Sequence, residues 1–146
     1  MTKEEEKKLS LANQLCFPLY AVSRKVISLY QPYLKPLGIT YTQYIVLMAL
    51  WECDGIAVSE LGKKLFLDNG TLTPLLKKME QLGYLSRKRS HKDERMVLIS
   101  LTEKGLSMKE KCIDIPDHIS EKLDIDIEKV KMLRSMLYDV MKKISE

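Results

Sequence analysis

Between Val58 and Leu101 a short helix, a tight turn, a second helix and a basic hairpin follow one another, and the rest of the chain has to be built to carry them. Val58-Ser59-Glu60-Leu61-Gly62-Lys63-Lys64-Leu65-Phe66-Leu67 gives the first helix, and the stretch from Asp68 to Gly83 gives the turn and the second. Two strand-like runs, Tyr84 to Arg89 and Met96 to Leu101, flank the polar tip Ser90-His91-Lys92-Asp93-Glu94-Arg95. Together these predict a winged helix-turn-helix. In that fold the second helix enters a DNA major groove and the wing lies along the backbone.

Charge placement supports a polyanionic partner. Residues 59–95 hold nine Lys/Arg and five Asp/Glu, which accounts for the entire formal net charge of +4. In the second helix Leu72, Leu75, Met79 and Leu82 are expected to face inward, and Thr71, Thr73, Lys77, Lys78 and Gln81 outward. Hydroxyl groups suit base edges and ammonium groups suit phosphates, so Thr71 and Thr73 are the expected base readers. Lys77, Lys78, Arg87, Lys88 and Arg89 are the expected phosphate contacts, with Arg95 in a structural or minor-groove role. Asp93 and Arg95 are expected to pair and shape the hairpin.

Upstream, Lys3 to Lys8 reads as a solvated lead-in. The apolar stripe Leu11, Leu15, Leu19, Val22, Val26, Leu29 and Tyr33 has the three-four spacing of a long helix. Pro18 is tolerated only in a first turn, so the regular helix starts or kinks near Cys16-Phe17. Either way Cys16 falls at or near a helix N-terminus, where free amides and the helix dipole stabilise a thiolate. Pro32, Pro36 and Gly38 are expected to end this helix. Thr40 and Gln43 then form a capping box that opens the next helix, which Asp54-Gly55 stops.

Downstream, Thr102-Glu103-Lys104-Gly105 caps a helix to about Asp114, and Pro116 breaks or bends it. From Ile127 a last helix carries Val130, Leu133, Leu137, Val140 and Ile144 in three-four spacing. A small domain has no room to bury this stripe and the N-terminal one in its own core, so both are expected to pack across a two-fold axis. The predicted class is therefore mainly α with a small β wing (α+β). It is a single domain over 1–146, with dimerisation helices at 9–37 and 102–146 around a winged helix-turn-helix at 40–101.

With 45% hydrophobic residues the chain has material for a core. No apolar run reaches the ~18 residues of a membrane span, and no apolar segment follows the charged N-terminus, so a cytoplasmic protein with no membrane partner is expected. Cys16, Cys53 and Cys112 are too widely spaced for a disulfide framework or a zinc pattern, and His91 and His118 are isolated. No metal, cofactor or catalytic residue set is expected. Acidic neighbours mark Cys53 as structural, whereas at Cys112 Lys109 and Lys111 leave a mildly activated surface thiol open beside the commoner buried cysteine.

The order of elements, the wing run Lys92-Asp93-Glu94-Arg95 and the following Leu101-Thr102-Glu103-Lys104-Gly105 resemble the MarR family of dimeric transcription regulators. Three further stretches look like its organic-hydroperoxide-sensing, OhrR-like branch of the one-cysteine type. They are Gln14-Leu15-Cys16-Phe17 with Tyr20 and Tyr30, the run Leu37 to Tyr44, and the run Gly70 to Lys78. The resemblance implies that Cys16 is the peroxide-reactive thiol and that Tyr30 and Tyr41, reaching it across the dimer interface, hydrogen-bond it. Tyr20 would border the same pocket. It also places Asn69 among the DNA contacts, where relatives often carry Ser, and it does not place Cys112 at the resolving position of two-cysteine members. The implied function is a DNA-binding repressor, a homodimer on double-stranded operator DNA. It would be released when an organic hydroperoxide and then a low-molecular-weight thiol modify Cys16.

Three other readings fit the residues. One is a regulator of the same family released by a small phenolic ligand, with Cys16 passive. Another is a thiol peroxidase, although no Cys-X-X-Cys or resolving partner is present. The third is a module whose basic face meets an acidic protein.

Overall fold

Side-chain capping starts half of the α-helices in the computed structural model, which describes residues 1–145. The chain divides into two compact units after Ile113.

In the first unit the charged lead-in is itself a short helix, α1 (Lys3–Lys8), started by a capping box between Thr2 and Glu5. Leu11–Asn13 then forms a 3₁₀ turn, so Leu11 and Leu15 lie outside the long helix that their spacing suggested. Helix α2 (Cys16–Leu34) begins at the cysteine, with Pro18 in its first turn. It runs through Pro32 and ends at Leu34, within the expected Pro32-Pro36-Gly38 stretch, where Gly38 takes a left-handed φ of 73°. A proline in the last turn forfeits one backbone hydrogen bond, which the packing of buried Leu34 tolerates. Thr40 and Gln43 cap each other's backbone as expected and open α3 (Tyr41–Glu52).

Strand β1 (Ile56–Ala57) leads directly into α4 (Val58–Leu65), and the turn at Phe66 takes a left-handed φ of 54°. The Asp68 carboxylate accepts the Thr71 amide at 2.7 Å and starts α5 (Asn69–Gln81), the expected recognition helix. Its buried face is Leu72, Leu76 and Met79, whereas Leu75 and Leu82, expected inside, are half-buried. Strands β2 (Leu85–Arg89) and β3 (Val97–Leu101) pair antiparallel as the wing, and β1 adds to the outer edge of β3, in the order β1-β3-β2. Helix α6 (Glu103–Lys111), capped by Thr102, completes the unit. Leu47 and Leu50 of α3, Leu61 of α4 and Ile99 of β3 are fully buried and join the α5 face in one core.

In the second unit Pro116 sits in the first turn of a new helix, α7 (Ile115–Leu123), so the chain breaks there rather than bends. Helix α8 (Ile127–Ile144) has no buried residue: Leu133, Val140 and Ile144 are exposed, and Val130 and Leu137 are half-covered. Helix α2 buries only Leu34, and Phe17, Leu19, Val22 and Ile27 are exposed. Each helix thus keeps an apolar face uncovered within the single chain.

Candidate DNA-reading face and thiol site

Helix α5 presents Asn69, Thr71, Lys77 and Lys78 to solvent, while Thr73 is half-buried at the edge of the core. An open cleft of about 280 Å³ separates this helix from the wing, lined by Ser59, Asn69, Thr73, Arg87, Arg95 and Met96 among others. Helix amides, hydroxyl groups and guanidinium groups on one concave surface suit a phosphate backbone and the groove beside it.

The wing's basic residues divide by their engagement. Arg87 is tied to Glu80 of α5 through an ion pair at 3.1 Å, which leaves Nη1 free of that carboxylate. Arg89 Nη1 donates to the Glu94 carbonyl at 3.2 Å and closes the base of the tip. The expected Asp93–Arg95 ion pair takes another form: the Asp93 carboxylate accepts the Arg95 backbone N–H at 3.0 Å. This turn-making bond shapes the hairpin without consuming the guanidinium. Lys88, Lys92 and Arg95 are exposed.

At the candidate thiol site Cys16 is exposed, as the first residue of α2. Leu15, in the cap position, offers no side-chain acceptor to the first-turn amides, so they remain available beside the thiol. Tyr20, one turn on and about 6 Å further along the axis, is also exposed. Its hydroxyl accepts from Arg24 Nη1 at 3.3 Å, and the guanidinium lies 5.3 Å from the ring centroid.

Tyr30 and Tyr41 meet with ring centroids 4.9 Å apart, and Tyr44 joins them at 5.9 and 6.3 Å. Burial raises the pKa of Tyr30 and Tyr41, helped at Tyr30 by Tyr41 itself. Burial first, and then Tyr30, Cys112 and Tyr41, push Tyr44 to about 12. All three therefore remain protonated donors at neutral pH. A groove of about 460 Å³ lined by Ile27, Tyr30, Leu34, Ile39 and Tyr41 opens beside them.

One chain does not bring Cys16 to these phenols. Fourteen residues of the same helix separate Cys16 from Tyr30, an axial distance of about 21 Å. A Tyr30 or Tyr41 phenol bonded to Cys16 has to come from another chain. Cys112, where the flanking lysines left a surface thiol open, is buried at 3% exposure, and desolvation raises its thiol pKa against the opposing pull of Lys111. Cys53, in contrast, is exposed. No group of metal-ligating side chains occurs among the described residues.

The family model described as "Transcriptional regulator SarA/Rot" matches residues 28–112. The organic hydroperoxide resistance transcriptional regulator of Bacillus subtilis (strain 168) is 49% identical over 138 residues, 94% of each chain. The chain belongs to the SarA/Rot-type MarR family of transcriptional regulators. Among solved structures this regulator is similar to reduced AbfR bound to DNA, with a TM-score of 0.79 and 36% identity over 98% of this chain and 99% of that one. AbfR, from Staphylococcus epidermidis, has also been solved overoxidised on DNA and with a disulfide formed. A MarR mutant from E. coli complexed with operator DNA gives a TM-score of 0.78 at 31% identity, covering 86% of this chain and 92% of that one. The shared fold is the winged helix expected from residues 58–101, and these relatives are regulators rather than enzymes.

Three residues of this regulator escaped the sequence reading. Glu80 was not read as the partner of Arg87, because the pairing crosses from helix to strand. Tyr44 stands out in the sequence only as the end of the run that starts at Leu37. Trp51 carries no signal of its own along the chain, yet its indole Nε1 donates to the Gly105 carbonyl at 3.0 Å.

Proposed function

We propose that this regulator is a homodimeric repressor that holds operator DNA while Cys16 is reduced and releases it once an organic hydroperoxide has oxidised that thiol. The observation that carries the reading is Cys16: an exposed thiol opening a helix, in a chain 49% identical to an organic hydroperoxide resistance regulator. The uncovered apolar faces of α2 and α8 support a second copy, and that copy would supply Tyr30 and Tyr41 to the thiol.

The Cys16 thiolate attacks the hydroperoxide O–O bond. A sulfenic acid forms, and the alkoxide leaves and takes a proton to become the alcohol. A low-molecular-weight thiol then attacks the sulfenic sulfur, so that a mixed disulfide forms and water departs. The phenol–thiolate hydrogen bonds cannot survive the added bulk and lost charge, and the interface that spaces the two recognition helices shifts. In the reduced dimer those helices sit about 34 Å apart, one DNA turn. Thr71 and Thr73 read base edges, and Asn69, Lys77, Lys78, Arg87, Lys88, Arg89, Lys92 and Arg95 hold the backbone and adjoining groove. No helix among the described residues is long and apolar enough to cross a membrane, and we place the regulator with its DNA in the cytoplasm.

A Cys16→Ser variant tests this. It should bind operator like the wild type but stay bound after cumene hydroperoxide and a small thiol are added. Release of the variant by oxidant would move the sensor away from Cys16. The groove beside Tyr30 and Tyr41 favours a second reading, release by a small phenolic ligand. In that case Cys16→Ser would still release when the phenol is added.

A further inference from the structure

We propose that Trp51 is a positioning residue that carries the state of the tyrosine cluster to the C-terminal end of the recognition helix. This rests on the reading of Cys16 as the sensor and supplies the step between sensor and DNA.

The contacts are continuous. Tyr30 and Tyr41 both touch Tyr44, and the Tyr44 ring meets Trp51 edge-on at 6.5 Å and 73°. From there the Trp51 indole N–H donates to the carbonyl of Gly105, in the first turn of α6. That turn is locked to the chain leaving the recognition helix. A Cβ on Gly105 would strike the Tyr84 carbonyl, so the two backbones are in direct contact. The three carbonyls that follow α5 are all held by the start of α6. Leu82 O accepts Lys104 Nζ at 2.7 Å, Gly83 O accepts Thr102 Oγ1 at 2.5 Å, and Tyr84 O accepts the Thr102 amide at 3.1 Å. The Lys104 ammonium also lies 4.6 Å from the Tyr84 ring centroid. At the far end of α6, buried Cys112 lies close enough to Tyr44 to help raise its pKa.

Close-packed rings do not deform gradually; they pass a displacement on or repack. A partly buried indole N–H that lost its acceptor would also be left unpaired, which couples the ring's position to that of α6. When Tyr30 or Tyr41 is drawn away from Cys16, Tyr44 and Trp51 shift, α6 follows through Gly105, and Thr102 and Lys104 pull the end of α5. The recognition helix changes its tilt on the DNA. The interface sets the distance between the two helices, and this path sets their angle.

Trp51 is the only tryptophan of the chain, so its emission reports on the path without a label. Full-length wild-type protein is titrated with cumene hydroperoxide and a small thiol. Trp emission, operator anisotropy and the mass of the Cys16 peptide are read on the same samples. Emission should shift over the same dose range as operator loss, and Cys16→Ser should flatten both. Trp51→Phe keeps a ring but removes the donor. Reduced, it should bind operator within about threefold of wild type, and Cys16 should still oxidise, but the ratio of reduced to oxidised affinity should fall about tenfold. Operator release with unchanged wild-type emission overturns the proposal, as does a full affinity ratio in Trp51→Phe. If the variant does not fold, the wild-type emission decides alone. Wild-type protein that stays on operator with Cys16 fully oxidised overturns the sensor reading and this proposal with it, an outcome distinct from failure of the path alone.

Discussion

Glu80 of the recognition helix receives three hydrogen bonds from Arg87 of the wing: the backbone N–H at 3.0 Å, and Nε and Nη2 at 3.3 and 3.1 Å. One carboxylate therefore fastens both the strand and its side chain to the helix, so wing and helix are held as one body. The arrangement also limits Arg87, because a guanidinium already half-used as a fork cannot grip a phosphate through the same edge.

Glu80→Gln should loosen that fastening. The expected result is a few-fold loss of discrimination between operator and random DNA, with non-specific binding held or strengthened because a negative charge near the DNA is gone. Anisotropy with both duplexes measures it, and unchanged discrimination would show that the wing holds its place without Glu80. The same pair has a pH signature. The Arg87 guanidinium, and then its amide, hold the Glu80 carboxyl below its ordinary value of 4.5. A depressed folded-state pKa contributes stability that is present above the unfolded value and lost as pH falls through the folded one. The stability difference between wild type and Glu80→Gln should thus be full at neutral pH and shrink only below about 4.5.

Leu76 and Leu75 offer a sharper test of the recognition helix's orientation. Leu76 is 1% exposed, whereas Leu75 is half-buried. Leu76→Ala should cost about 2–5 kcal/mol of stability and Leu75→Ala clearly less. Urea unfolding of both variants reads this directly. The reverse ranking would mean that α5 is rotated by about 100° from its position here.

Those two leucines also show where sequence legibility ends. Capping chemistry is local, so Thr40 with Gln43 and Thr102 with Gly105 could be read directly from residue types. Adjacent leucines both fit an apolar stripe, and only the neighbouring helices decide which one is buried. Strand β1 has two residues, too few for any alternation, and exists because β3 offers it an edge. Lys109 and Lys111 leave the placement of Cys112 open, and the turn of α6 carries it inside while the lysines stay out. At the candidate site, Cys16 was legible because Pro18 dates the start of its helix. Glu80–Arg87 and Tyr44–Trp51 were not, since each pairing depends on how elements meet rather than on spacing along the chain.

Burial should separate the thiols of the native protein. Cys112 is buried and its pKa is raised by desolvation, so little of it is thiolate at neutral pH. Cys53 is exposed. Iodoacetamide should alkylate Cys112 at least about tenfold more slowly than Cys53, and the difference should vanish in denaturant. Peptide mass spectrometry over time measures both rates. Fast native labelling of Cys112 would mean that α6 opens on that timescale.

Strand alternation predicts that the wing's three consecutive basic residues act differently on DNA. Arg87 and Arg89 share one face of β2, and Lys88 projects from the other. Arg87 is engaged by Glu80, and Arg89 closes the tip on the Glu94 carbonyl. Lys88 is exposed, and its ammonium is a point charge with no fork to fit a base edge. Its contribution should be to neutralise phosphate. Lys88→Ala should therefore weaken operator and random DNA by the same factor and lower the slope of log affinity against log salt by about 0.9. Arg87→Ala should behave differently, since it also frees Glu80 and disturbs the wing. Binding isotherms for both duplexes across a salt series separate the two variants. A loss at Lys88 that depends on base sequence would place its side chain in the groove instead of on the backbone.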